Sequence, residues 1–377
     1  MPGSTLPRTL RAALTSTVLC GALVATGGAA QARDDHGHGR WPVPTAGTPE
    51  VLADGLVGPL SLDVGTHRTV YVSQNFAGTI DAVRKGAVTP VVTSPSPDVE
   101  LGSVSSQGSR LYYTTSIGAG TPDFDAHLVT RTPRGEEQVL ADLGQHERDH
   151  NPDGEITYGF VGLADGCEIP EGIPVSYPGA LDSHPYATEL WHGKVLVADA
   201  GGNDILSVDR HGDVSTVAVL PPTPLEVTAD VAGGLGLPEC AVGSTYLLES
   251  VPTDVEVGTD GWLYATSLPG GPEGPGLPLG AVYRVHPRSG AVELVARAFS
   301  GATNLAVGPK GEIFVTELFG GKVSVIPRGS STPQTFLEAA LPAAVEVDGK
   351  SLYVTTEALP GDGAPPSGKI LKVALQY

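Results

Sequence analysis

Between Asp182 and Leu220 short apolar runs alternate with turn residues. They predict four antiparallel strands at Tyr186–Leu190, Val195–Ala198, Ile205–Asp209 and Val214–Leu220, with turns at Trp191–Lys194, Gly201–Asn203 and His211–Asp213. A lone four-stranded sheet cannot bury both faces, so the pattern predicts neighbours of the same kind. They are present. The second strand of the unit recurs as Val70–Val72, Leu111–Tyr113, Val195–Val197, Leu263–Ala265, Ile313–Val315 and Leu352–Val354. Asp260-Gly261, Lys310-Gly311 and Asp348-Gly349 supply hairpin turns before three of these copies. Successive copies start 41, 84, 68, 50 and 39 residues apart. The short intervals fit one four-stranded blade and the long ones a blade plus an insertion.

The sixth copy runs out one strand early, with strands at Ala344–Val347, Leu352–Thr355 and Ile370–Ala374 and the chain ending at Tyr377. Pro49–Asp54, ahead of the first copy, resembles the fourth strands Glu137–Asp142 and Val292–Ala296. The expected architecture is therefore all-β, a six-bladed β-propeller over residues 49–377 whose N-terminal strand closes the last blade and leaves no long sheet edge. In an up-and-down blade, the loop from strand two to three and the connection from strand four to the next blade share one face. Residues 144–184 and 221–252 are connections of the latter kind, and 117–126, 267–280 and 358–368 are loops of the former. Every long excursion thus decorates one face, where loops on a rigid scaffold build binding sites.

Composition adds a compartment and a charge. Arg8 and Arg11 precede the apolar run Ala12–Ala25, and Ala30-Gln31-Ala32 is a small-x-small cleavage sequence, so residues 1–32 read as a secretory signal peptide cleaved near Ala32. Bulky Leu19 before Cys20 disfavours a lipid anchor. Residues 33–48 are polar, Pro-rich and aperiodic, a disordered spacer whose His36 and His38 read as solvated. Two basic and no acidic residues leave with the signal, moving the formal charge from −20 to −22. That balance excludes nucleic acid and anionic membranes as partners and favours cations, although acidity also keeps secreted proteins soluble. No later segment approaches the ~20 apolar residues of a membrane span. The chain is expected to be a secreted or periplasmic monomer meeting a small molecule or an extracellular protein. Cys167 and Cys240 remain, one in each long insertion, and an even count in an oxidising compartment predicts a disulfide stapling that face.

Candidate chemistry sits in the same loops. Asp149-x-Asn151-x-Asp153-Gly154 has the oxygen spacing of half a calcium loop, but Phe160 stands where the bidentate Glu belongs, and Asn-Pro-Asp-Gly is also a plain turn. Calcium is the one cofactor this spacing suggests. His146 and His150, four apart, would share a helix face. Near the axis, Ser61, Asp254 and Asn304 take corresponding places on first strands. Glu249, Asp182, His184, Tyr186 and Thr253 lie beside them, and Asp199, Asn203, Glu317 and Glu357 follow second strands to the same face. Glu249, Asp254 and Asn304 would hold a divalent cation at the channel mouth, and Tyr186, His184, Asp254 and Asn304 a ligand. The competing reading is that inner-strand polar groups cap one another and bind channel water. Serine-nucleophile, phosphate-loop and zinc-protease motifs are missing from the sequence.

The blocks NPDG (151–154), DSHPYA (182–187), VLVADAGGNDILSVDRHGDVSTVAVLPP (195–222), YLLESVPTDVEVGTDGWLYATSLPGGP (246–272) and SGATNLAVGPKGEIFVTELFGGKVSVI (300–326) resemble the ScyD/ScyE family of secreted bacterial propellers. The resemblance implies a six-bladed, TolB-like fold, related in shape to NHL-repeat and gluconolactonase-type proteins, and no established reaction. His184 departs from it, standing where Asn is expected before Pro-Tyr. The metal site of gluconolactonases does not carry over, because their Pro-Asp-Gly aspartate falls on Thr253, and on a strand Asp254, one residue along, faces the other way. The expected function is ligand or partner binding on the insertion-rich face without a known reaction. The alternative is a metal-dependent lactone or ester hydrolase.

Overall fold

The computed structural model describes residues 42–377 apart from 273, 275, 360 and 362, so the expected signal peptide over 1–32 and the expected spacer up to residue 41 lie outside the described residues. Within the described residues the chain is all-β, and each expected repeat is one antiparallel sheet in meander order. Sheet 1 runs Pro59–Val64, Val70–Gln74, Thr79–Arg84, Ala87–Thr93; sheet 2 runs Glu100–Gln107, Arg110–Ile117, Asp125–Arg131, Glu137–Asp142. Sheet 3 runs Pro185–Trp191, Lys194–Asp199, Asp204–Val208, Val214–Val219; sheet 4 runs Pro252–Val257, Leu263–Ser267, Gly280–Val285, Val292–Phe299. Sheet 5 runs Ala302–Val307, Ile313–Glu317, Lys322–Ile326, Gln334–Glu338, and sheet 6 has Val345–Asp348, Ser351–Thr356 and Gly368–Gln376. The hairpin glycines Gly261 and Gly311 both adopt φ +82°, the left-handed conformation their turns need.

The missing strand of sheet 6 comes from the other end of the chain. Glu50–Leu56 pairs antiparallel with Gly368–Gln376, with Glu50 opposite Lys372 and Ala53 opposite Ile370. Order begins earlier than Pro49: Thr45–Ala46 pairs with Gln376 and Leu375, and Val43 and Ala46 pack against the cluster between sheets 5 and 6. Residues 42–48 of the expected spacer therefore belong to the folded body.

Alternating side chains bury both faces of each sheet against its neighbours. Ile80 and Tyr71 of sheet 1 pack on Leu111 and Tyr113 of sheet 2, Leu128 of sheet 2 on Val197 of sheet 3, and Leu196 of sheet 3 on Leu263 of sheet 4. Phe299 of sheet 4 then meets Leu305 of sheet 5, Phe314 of sheet 5 meets Leu352 of sheet 6, and Tyr353 of sheet 6 meets Val70 of sheet 1. Hydroxyls on first and second strands reinforce this packing by donating to carbonyls at the start of, or just before, the first strand of the next sheet. Ser73 Oγ reaches Leu101 O (2.9 Å), Thr114 Oγ1 Pro185 O (2.8 Å), Thr253 Oγ1 Ala302 O (2.9 Å) and Thr303 Oγ1 Ala343 O (2.8 Å).

The two long insertions fold together, which the sequence did not lead us to expect. Thr157–Val161 and Ser176–Pro178 from the first join Thr245–Leu248 and Thr223–Glu226 from the second in a separate four-stranded sheet. The Cys167–Cys240 disulfide ties the two, with Cα atoms 5.6 Å apart, and Phe160 meets Tyr246 edge-on at 4.7 Å. A short helix, Leu143–His150, opens the first insertion; the Asp142 side chain accepts from Gln145 N at its start, and Asn151 at φ 38° ends it.

Candidate functional site

Ser61, Asp254 and Asn304 perform one job at three places. Ser61 Oγ accepts from Val104 N (3.2 Å), Asp254 Oδ2 from Leu305 N (2.8 Å) and Asn304 Oδ1 from Val345 N (2.7 Å). Each side chain satisfies a buried amide on the first strand of the following sheet, so one acceptor of each is committed to architecture. Burial pushes the Asp254 carboxyl up to about 7 despite the amides of Leu305 and Val255.

Two residues further along the first strands, Asp63, Glu189 and Glu256 occupy equivalent positions, and Glu346 takes the same place in sheet 6. Four residues of strand put Asp63, Glu189 and Glu256 about 13 Å from the insertion-bearing end. Burial raises Asp63 to about 6; burial with the charges of Asp254 and Asp63 raises Glu189 to about 7. Glu256 and Glu346 are pushed well above the usual carboxylate range by burial and by the other carboxylates of this ring. Among the described residues none of the four is ion-paired to a base.

At the insertion-bearing end, His184 Nε2 lies 3.0 Å from Glu100 Oε2, and Asn75 Nδ2 donates to Glu100 Oε1 (3.2 Å). Burial opposes both charges, but the pair outweighs it: His184 rises to about 9, helped by Asp199 and Asp182, and Glu100 falls below its usual value. The Tyr186 ring stands edge-on to His184 at 6.1 Å and packs with Leu60, Phe76, Leu318 and Phe319.

Beneath the inserted sheet lies a third acidic group. Asp153 is buried and accepts from Tyr158 Oη (3.0 Å) and Asn203 Nδ2 (2.9 Å), while Asn203 Oδ1 takes Val251 N (3.0 Å). Asn203 thus joins sheet 3 to both insertions. Asp199 accepts from Ser183 Oγ (2.5 Å) and from the amides of His184 (2.6 Å), Gly201 (3.1 Å) and Gly202 (3.3 Å). Glu147 is buried on the short helix and raised to about 8 by burial and the charges of Asp199 and Asp153; Asp204 is raised well above its usual value by burial, Asp199 and Glu147.

No family model matches the chain, and no curated protein matches it by sequence. Solved structures do. A PQQ-bound aldose sugar dehydrogenase from Streptomyces coelicolor superposes with TM-score 0.56 at 15% identity over 89% of this chain and all of that one. A gluconolactonase from Xanthomonas campestris gives 0.53 at 11% identity, over 89% and 95% of the two chains. A virginiamycin B lyase from Staphylococcus aureus gives 0.50 at 15% identity, over 87% and 98%. The fold is that of a β-propeller.

On this propeller the sequence-derived sets divide. Asp149 is exposed on the helix and held by Gln145 Nε2 (2.9 Å), whereas Asp153 is buried, so Asp149, Asn151 and Asp153 do not present one surface. His146 and His150 stack at 4.4 Å, but His146 Nε2 contacts Thr216 Oγ1 (3.0 Å) and His150 Nδ1 the His146 carbonyl (3.0 Å). Glu249 is raised by burial and by Asp153 and Asp182, and so belongs with the group under the insertions rather than with Asp254 and Asn304. Glu317 accepts from Ser300 N (2.9 Å) and Ser324 Oγ (2.5 Å), and Glu357 pairs with Lys369.

The first-strand carboxylates were missed, although Asp63, Glu189 and Glu256 each stand four residues after the start of their strand. Glu147 and Asp204 left no comparable signal. Among the described residues, Asp125, His127 and Asp142 are the one set of three metal-ligating side chains whose donor atoms lie within 4.8 Å of one another, on the outer strands of sheet 2. Asp142 is exposed there and already caps the helix. No helix among the described residues is long and apolar enough to cross a membrane.

Proposed function

We propose that the chain is an exported, closed six-bladed β-propeller of the ScyD/ScyE kind, and that it binds a small cationic ligand in its axial channel from the insertion-rich face. The observation that carries this reading is the set of carboxylates on four different first strands, Asp63, Glu189, Glu256 and Glu346, with Asp254 above them. Burying like charges together raises their pKa values, and a bound cation offsets that cost. His184, Glu100 and Tyr186 stand at the entrance, where an aromatic edge and an ion pair select what enters. The disulfide and the acidic surface fit an extracellular setting.

Calorimetric titration of the exported chain with a panel of organic mono- and polyamines at low salt tests this. We expect binding of at least one amine and a loss of tenfold or more in Glu189→Gln/Glu256→Gln. Equal affinity in that double variant, or no amine bound below millimolar concentration, sinks the channel as the site.

The second reading, a metal-dependent lactone or ester hydrolase, draws on Asp63, Glu189 and Asp254. Their values of about 6, 7 and 7 suit proton transfer near neutrality, and a gluconolactonase shares the fold. It requires turnover that chelator abolishes and calcium or zinc restores.

A further inference from the structure

Burial has left a set of oxygens without partners in one place. Glu147 Oε1, Asp153 Oδ1 and Asp204 Oδ1 are buried and hydrogen-bond to no protein group. Their residues are almost wholly inaccessible, at 3%, 0% and 1% exposure. An unpaired buried carboxylate oxygen carries a large desolvation cost, so native proteins supply such groups with a proton, a water or an ion. These three belong to one neighbourhood, because the charges of Asp153 and Glu147 both act on Asp204, and that of Asp153 acts on Glu147. Among the described residues no lysine or arginine pairs with any of them.

The chain between them is shaped as a cradle. Gly202 separates Glu147 from Asp204, and a Cβ there would stand 3.3 Å from Glu147 Oε2 and 3.4 Å from Asp204 Oδ1. Asp199 draws in the amides of Gly201 and Gly202 and so fixes the turn. Gly179 lets Asp153 in: a Cβ at 179 would be 2.1 Å from Asp153 Oδ1.

We propose that this turn and the helix Leu143–His150 form a site for one divalent cation of the calcium type, with Glu147 and Asp204 as ligands on either side of Gly202 and Asp153 completing the oxygen set. The ligands are hard oxygens without a thiol or imidazole, the set calcium takes with 6–8 oxygens at ~2.3–2.6 Å. No three of these donor atoms lie within 4.8 Å of one another, so the ion draws them together on binding. The ion also joins sheet 3 to the first insertion, making the roof over the channel mouth cation-dependent. The site is separate from the channel ring and does not depend on the ligand proposed there.

The test uses the exported, disulfide-bonded chain stripped with EDTA and dialysed, titrated with calcium, with magnesium as comparison, by calorimetry and thermal melting. We expect one ion per chain and a melting temperature about 5 °C higher at a hundredfold excess over Kd. Gly202→Ala, which fills the cradle but removes no charge, and Glu147→Gln should each weaken calcium binding tenfold or more, with circular dichroism reporting whether the variants fold. Asp125→Asn, in the exposed trio of sheet 2, should bind calcium as the parent does. Absence of any calcium-dependent change in the parent would overturn the proposal and mean that the carboxyls are held protonated instead. Loss of binding in Asp125→Asn would overturn it too, by moving the ion to the sheet 2 trio. Both of these readouts stand even if the cradle variants fail to fold.

Discussion

Asn304 and Asp254 look alike as acceptors for the next blade but differ in what their replacement costs. Asn304→Ala leaves the buried Val345 amide without its 2.7 Å partner, a loss of about 1–3 kcal/mol, measurable as a lower denaturant midpoint at unchanged slope. Asp254→Asn keeps an acceptor for Leu305 N and removes a charge from the acidic channel, so at pH 8 its melting temperature should equal or exceed the parent's. Asp254→Ala should fall below it. A drop in Asp254→Asn as large as in Asp254→Ala would show that the ionised form itself is needed. Read as sequence, both residues looked like ligand-binding groups. Polarity on an inner strand marks a demand for a partner without saying whether a substrate or the next blade's backbone meets it.

At the scale of elements, the inserted sheet is the weakest-specified part of the molecule. Its strands are three to five residues long, and Thr157–Val161 pairs with Thr245–Leu248 across more than eighty residues of chain. Its own core is small, with Val227, Ala232 and Ala241 fully buried and Phe160 and Tyr246 beside them. Closing so long a loop is entropically costly, and the disulfide takes over much of that cost. Cys167→Ser/Cys240→Ser should destabilise this sheet by about 2–4 kcal/mol and leave the blades folded. Hydrogen exchange should show faster amides at Thr157–Val161 and Thr245–Leu248 but unchanged protection at Val195–Val208. Uniform loss of protection would mean that the insertions are needed by the whole fold. The contrast explains what could be read in advance. Blade strands such as Val195–Ala198 announce themselves by local apolar runs and Gly turns, as does the N-terminal strand that completes sheet 6. Ser176–Pro178 and Thr223–Glu226 do not, because only distant partners make them strands. Glu147 sits in the polar run GQHERDH, and its burial is imposed by distant neighbours, among them the Gly202 turn of sheet 3 and the Asp182 backbone.

For the whole molecule, the raised carboxyls set the direction of the pH response. Asp63 at about 6 and Glu189 and Asp254 at about 7 bind protons more tightly folded than unfolded, where ~4 is usual. Their contribution is complete below about pH 4 and is lost as pH rises through 6–7. His184, raised to about 9, acts in the same direction: its contribution is present below ~6.5 and lost toward pH 9. Glu100, lowered by its pairing with His184, opposes this only at the acid end. In chelator, the melting temperature should therefore be higher at pH 5.5 than at pH 8, and Glu189→Gln should flatten the slope. A melting temperature that climbs with pH over that range would contradict the raised carboxyls of Asp63, Glu189 and Asp254.

The pairing of Thr45–Ala46 and Glu50–Leu56 with Gly368–Gln376 has a topological consequence. Residues 45–56 and the C-terminal strand therefore lie side by side at the edge of sheet 6 opposite its first strand, Val345–Asp348. A reporter, surface tether or affinity handle fused after Tyr377 would leave from that outer edge, away from the first strands that carry Asp63, Glu189 and Glu256. Joining residues 42 and 377 with a few glycines would make a circle that could be reopened between the exposed Arg210 and His211, giving a permutant in which covalent linkage does the work that strand pairing now does.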